Sequence, residues 1–152
     1  MPDPIARLAG QMAVRHGQHG EAIARTLLDQ HGVRSLWRIE TGWRIHRVNG
    51  RIVGATPLRA VPGDWRGIMP GGRSVICEVK ERPERLIWSD LGAHQHAALQ
   101  EHADLGGLSL LAWVSKHRAF LLPYPCPTLA PRQQGLTTTA GIFHALRTLE
   151  LR

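Results

Sequence analysis

A chain of 152 residues is long enough to bury one proper core and too short for two comfortable ones. Its 43% hydrophobic content, punctuated by Gly and Pro, excludes a disordered chain, and no apolar run approaches the ~20 residues of a membrane helix. Nineteen basic residues against twelve acidic give a net charge of +7, which favours a polyanionic partner.

In chain order, Ile5, Leu8, Ala9 and Met12 stand at helical spacing over 4–15, and Gly17 and Gly20 then interrupt the pattern. A firmer helix is expected from Gly20 to Gln30, with Ala22, Ile23, Ala24 and Leu27 apolar and Gly32 as its stop. Two β-prone stretches follow, Ser35–Ile39 and Trp43–Val48. Asn49-Gly50 is then a strong hairpin signal, and Arg51–Val53 begins the returning strand. Another strand leads through Asp64 to Ile68, turns at Pro70-Gly71-Gly72 and returns as Arg73–Lys80. Ser89 or Asp90 can cap a helix running to about Ala103. Leu108–Val114 reads as a central strand covered on both faces, and Ala119–Leu122 as the next strand after a turn. The Pro-rich stretch 123–131 is a connector, and Thr139–Leu149 closes the chain as an amphipathic helix through Ile142, Phe143, Leu146 and Leu149. The whole is expected to be a single α/β domain over 1–152, with helices flanking one mixed central sheet.

Charge is unevenly spread. Between Gly32 and Pro62 lie Arg34, Arg38, Arg44, Arg47, Arg51 and Arg59, opposed only by Glu40, with Trp37 and Trp43 interleaved. Arginine can bridge phosphates and an indole can stack on an exposed base, so 32–62 is expected to be a protruding basic hairpin that grips nucleic acid. A solvated hairpin with inward-packed tryptophans is the competing reading.

Seventeen of the basic residues are Arg; Lys80 and Lys116 are the two lysines. In a chain that avoids lysine, the Lys of Glu78-Val79-Lys80 is a poor ornament. On a strand, Glu78 and Lys80 share a face, and the Pro-Gly-Gly turn brings Asp64 beside them. Two carboxylates with waters and a phosphate suit the octahedron of Mg²⁺, and a lysine adds positive charge where negative charge builds on a phosphoryl group. His16/His19 and His94/His96 lack the paired Cys or spaced His/Asp set of a zinc site, so His94, His96 and His102 read as polar helix positions. Glu81 and Glu84 lie past the expected strand and read as solvated. Cys77, among Val75, Ile76 and Val79, reads as a small buried hydrophobe. With two cysteines and no secretory apolar segment in MPDPIARLAG, a reducing, cytoplasmic setting is expected.

Gly63-Asp64-Trp65-Arg66-Gly67, Gly72-Arg73, Glu78-Val79-Lys80-Glu81, His94-Gln95 and the apolar Leu108–Val114 strand, in that order, resemble the RecU-type Holliday junction resolvases of the PD-(D/E)xK nuclease superfamily. The resemblance covers about residues 17–125. It implies a restriction-endonuclease-like core in which Asp64, Glu78 and the Val79 carbonyl bind Mg²⁺, with Mn²⁺ able to substitute. It also implies that Lys80 orients the attacking water or stabilises the transition state. Glu21 matches a carboxylate of the first core helix, and Gln95 a glutamine beside the site. Arg34, Trp37, Arg38, Trp43, Arg44, Arg47, Arg51, Arg66 and Arg73 would contact DNA, with 32–62 in the place of a stalk. Gly63 departs from the superfamily's proline. The implied activity is metal-dependent cleavage of four-way junction DNA by a homodimer, with no membrane or small-molecule cofactor. Cleavage of a mismatch, flap or duplex, or DNA binding without cleavage, are the alternatives.

Overall fold

The computed structural model describes residues 4–39, 43–57 and 63–152, with the side chains of 4–17, 43 and 57 outside that description. The chain opens on helix α1 (Pro4–His31) and continues through strands β1 (Arg34–Arg38), β2 (Trp43–Val48), β3 (Arg51–Pro57), β4 (Trp65–Ile68), β5 (Ser74–Glu81) and β6 (Arg85–Leu86). Helix α2 (Ala93–Asp104), strands β7 (Leu108–Val114), β8 (Arg118–Pro123) and β9 (Leu136–Thr137), helix α3 (Thr138–His144) and strand β10 (Arg147–Glu150) complete it.

Six strands form the central sheet in the order β1-β4-β5-β7-β8-β10, and of its pairings only β5 with β7 is parallel. This is the expected mixed sheet between helices. One face buries Val75, Cys77, Leu110, Ala112 and Leu121 against Ile23, Ala24, Leu27 and Leu28 of α1. The other buries Ile76, Leu111, Trp113 and Phe120 against Leu99 of α2 and, through Ala140, α3. Strand β7 is therefore apolar on both faces, as its unbroken run of apolar side chains predicts. Both thiols are buried, as expected for Cys77.

Four expectations need correction. Helix α1 is continuous where Gly17 and Gly20 were expected to interrupt it. A helical glycine costs about 1 kcal/mol and does not by itself break a helix. Gly20 is buried, and a Cβ there would meet the Glu81 side chain, so the missing side chain leaves room for that carboxylate beside the helix. Second, Arg34–Arg38 does not belong to a protruding hairpin. It pairs antiparallel with β4 as an edge of the central sheet, held by buried Val33 and by Leu36 against the core. The hairpin is β2 and β3 alone, a separate sheet whose turn has Asn49 at φ 49° and Gly50 at φ 76°, the left-handed pair that the Asn-Gly signal predicts. Third, α2 begins after Gly92, because Asp90 closes a short helical turn by accepting from Ile87 N–H and pairing with Arg82. Fourth, the C-terminal helix stops at His144, and Arg147–Glu150 becomes an edge strand on β8. Ile142, Phe143 and Leu146 are exposed, whereas Leu149 packs into the α1-side core. The helical spacing there was coincidental, and the free edge of β8 took the backbone hydrogen bonds instead.

The pairing directions place the ends of β1, β5, β7 and β10 and the starts of β4 and β8 along one edge of the sheet. The candidate site lies on that edge.

Candidate active site

The start of strand β4 and the end of β5 frame the site, and the turn that pairs the two strands lies at their far ends. Gly71 and Gly72, at φ 96° and 91°, let the chain reverse tightly at Pro70. The reversal lays Asp64 against β5, where its N–H donates to the Cys77 carbonyl at 2.8 Å and its Oδ2 accepts from Val79 N–H at 2.7 Å. Gly63 sits at φ 80°, a conformation proline cannot adopt, which accounts for glycine at this point in the chain. Burial pushes the Asp64 pKa up, and the Val79 hydrogen bond and the Lys80 charge partly offset that.

Side-chain alternation along β5 sends Glu78 and Lys80 to the α2 face, as expected. Lys80 Nζ lies 3.1 Å from Glu78 Oε1. Gln95 in the first turn of α2 braces both: its Oε1 accepts from Lys80 Nζ at 3.1 Å and its Nε2 donates to Glu78 Oε1. The same Oε1 accepts from Gly92 N–H at 2.9 Å. Glu78 is buried, and burial together with the nearby Asp64 charge raises its pKa to about 7, with Lys80 opposing. An anionic Glu78 is thus costly here unless more positive charge is supplied.

On the α1 face, Glu21 meets Arg38 from the end of β1, with Nη2 at 3.0 and 2.9 Å from the two carboxylate oxygens. Burial pushes the Glu21 pKa up, Arg38 opposes, and Asp64 and Glu81 add to the rise. Glu81 was expected to be solvated past the strand. It is instead the last residue of β5, and its Oε1 is buried with no hydrogen-bond partner among the described residues. The alternation that pairs Glu78 with Lys80 also puts Glu81 on the α1 side with Val79. That signal was present in the sequence, but the strand was expected to end one residue too soon.

Glu21, Asp64, Glu78, Val79, Lys80, Glu81 and Arg82 line one open cavity of about 450 Å³. Among the described residues, no three His, Cys, Asp or Glu side chains converge as a metal cluster. The donor set is two carboxylates whose ionisation burial disfavours, with the Asp64 charge adding to the rise at Glu78, next to the Val79 backbone. It suits a hard divalent cation that keeps most of its shell as water and substrate oxygen, as Mg²⁺ does.

The remaining expected residues lie elsewhere. Arg44, Arg47 and Arg51 are exposed on the hairpin. Trp37, 47% exposed, stands on β1 of the central sheet beside Arg66 of β4, and Arg34 begins β1; the Trp43 side chain lies outside the described residues. Arg73 is at the opposite end of β5, where it donates to the Gly106 and Gly107 carbonyls at 3.0 Å each and closes the α2–β7 turn. His96 is buried, stacked on Trp88 at 3.5 Å and bonded to Tyr124 Oη at 2.9 Å, and His102 links Ser74 and Ser109. Both histidines lie on α2 as expected, and their hydrogen bonds tie the helix to the rest of the fold.

No protein-family model and no curated protein sequence matches the chain. Among solved structures, its fold is similar to that of the Archaeoglobus fulgidus Hjc, a Holliday junction resolvase from an archaeal hyperthermophile. The TM-score is 0.53 and the identity 16%, over 84% of this chain and 93% of that one. The chain therefore shares with that archaeal protein an α/β fold in which helices flank a mixed central sheet.

Proposed function

We propose that the chain is a divalent-metal-dependent DNA endonuclease that resolves four-way junctions. The observation that carries this reading is the convergence of Asp64, Glu78 and Lys80 on one cavity, with Glu21 at its α1 side. The fold likeness to a resolvase supports it. Asp64, Glu78 and the Val79 carbonyl would hold Mg²⁺ or Mn²⁺, which supplies Lewis-acid charge to the scissile phosphoryl group. Lys80, fixed between Glu78 and Gln95, presents its ammonium to that phosphate and to the attacking water. Arg38 neutralises Glu21, so a polyanionic strand approaches a wall of lower negative charge. Symmetric incision of a four-way junction needs two sites, so the working unit is a homodimer. The sequence resemblance to RecU-type resolvases supports the same reading.

The deciding assay compares four-way junction, flap, mismatch and duplex DNA with Mg²⁺ and with EDTA. Paired cuts in opposed strands of the junction are expected, with none in EDTA. Cleavage confined to another substrate would move the chain to a different nuclease activity, and no cleavage of any DNA would remove the reading.

The hairpin is the junction-selective element of this proposal. Every side chain from Arg44 to Thr56 is exposed, although Ile45, Val48, Ile52 and Val53 are apolar. An unsupported two-stranded ribbon with such a surface suits an opening lined by phosphates and unstacked bases. Changing Arg44 and Arg47 together to Ala should weaken junction binding more than duplex binding. The salt slope should fall by about one unit for each phosphate the variant no longer neutralises. Equal weakening on both DNAs would reduce the hairpin to a general phosphate grip.

A further inference from the structure

The site is not an isolated pit. Its cavity shares Glu81 and Arg82 with a neighbouring groove of about 430 Å³ that adds His19, Pro83, Ser115, Lys116 and Arg152. That groove shares Pro83, Ser115 and Lys116 with a third depression running on past His117 and Arg118. The depressions adjoin where the chain just beyond β5 lies against the β7–β8 turn: Arg82 N–H donates to the Val114 carbonyl at 3.0 Å and Lys116 N–H to the Pro83 carbonyl at 2.9 Å.

Sheet order gives the trough a direction. Along the shared edge stand Arg38 at the end of β1, Asp64 before β4, Lys80 near the end of β5, Lys116 after β7 and Arg152 after β10. Neighbouring strands lie about 4.8 Å apart, so the five intervals from β1 to β10 cover roughly 24 Å. DNA rises ~3.4 Å per nucleotide along its axis, so this edge matches about seven nucleotides. The hairpin leaves from the β1 side and Lys116 occupies the other, with the carboxylates between them.

The charges in the trough differ in availability. Arg82 is paired with Asp90 at 2.5 Å and Arg118 with Glu150 at 2.6 Å. Among the described residues, Lys116 and Arg152 have no carboxylate within ion-pair distance, and both are exposed. A turn lysine needs no charge partner to hold this turn, since Ser115 already bonds to both the Arg118 backbone N–H and carbonyl.

Resting on the proposed nuclease function, we infer that Lys116, supported by Arg152, holds the backbone of the DNA arm leaving the cut on the side away from the hairpin. Lys80 stands in register with Trp113, so Lys116 lies one strand interval sideways and about three residues onward, and a strand crossing the edge obliquely meets it within about three nucleotides of the scissile phosphate.

The test measures binding by wild type and by Lys116→Glu and Lys116→Gln, in Ca²⁺, across a salt series. The substrates are junctions with ordinary phosphates and the same junctions carrying neutral methylphosphonates at the second and third phosphates beyond the cut. On ordinary phosphates Lys116→Gln should bind roughly threefold or more weakly, with a salt slope lower by about one unit, and Lys116→Glu more weakly still. Neutralising the phosphates should weaken wild type by a similar factor and Lys116→Gln no further. Variants equal to wild type on ordinary phosphates, or Lys116→Gln weakened as much again by the neutral ones, would overturn the assignment while leaving the nuclease reading intact. Wild type that binds no DNA would remove both.

Discussion

Asp64→Asn is expected to lower cleavage by at least about 10²–10³-fold, the scale of removing one preorganised charge from a phosphoryl-transfer site. Junction binding should survive. The substitution is conservative for the fold, because an asparagine oxygen can still accept the Val79 N–H that now meets Asp64 Oδ2 at 2.7 Å. What it removes is half of the paired negative charge that would attract a cation into the cavity. Glu78→Gln should behave alike, since the buried Glu78 carboxylate is the other half and its amide analogue keeps the shape. Calorimetric titration with Mn²⁺ gives a readout independent of cutting: wild type should bind the ion and both variants should not. Near-normal cleavage by either variant would remove the active-site assignment altogether.

Lys80→Arg should cost the second-largest share of activity, about 10- to 100-fold in kcat, with little change in KM. The ammonium is held at 3.1 Å from both Glu78 and Gln95. A guanidinium is larger and planar, presents its donors in a fixed fork, and cannot occupy the same point between a carboxylate and an amide. The predicted signature is a fall in kcat with an unchanged binding isotherm. Wild-type turnover by the arginine variant would show that any positive charge suffices there.

The site was more legible in the sequence than the boundaries of the fold were. Asp64, Glu78 and Lys80 could be brought together by a turn signal and strand alternation, both local rules. Glu21 could not. It reaches the cavity from a helix more than forty residues before Asp64, through packing that periodicity does not encode, and only the family resemblance pointed to it. Glu81 was missed for the opposite reason, a strand end misplaced by one residue. The errors in the fold share a cause, which is tertiary demand overriding a local pattern. Gly20 was expected to interrupt a helix when it leaves room for the Glu81 side chain coming from the sheet. Leu149 fitted a helical stripe but serves an edge strand that β8 required. The arginine-rich stretch looked uniform from 32 to 62, and nothing in its charge separates β1, which the core recruits through Val33 and Leu36, from the exposed ribbon that follows.

Gln95 joins the start of a helix to the chemistry of a strand through one amide. Its oxygen serves two donors, a backbone N–H at the head of α2 and the Lys80 ammonium, while its nitrogen faces the Glu78 carboxylate. Each neighbour therefore dictates one end of the group. A glutamate would keep both acceptor roles but set a second anion against Glu78, and a lysine or methionine would leave the helix head and the ammonium without an acceptor. Shortening to asparagine withdraws the amide by one methylene from all three partners. The position accepts one chemical identity, and the register of α2 against β5 is consequently written into the orientation of the lysine.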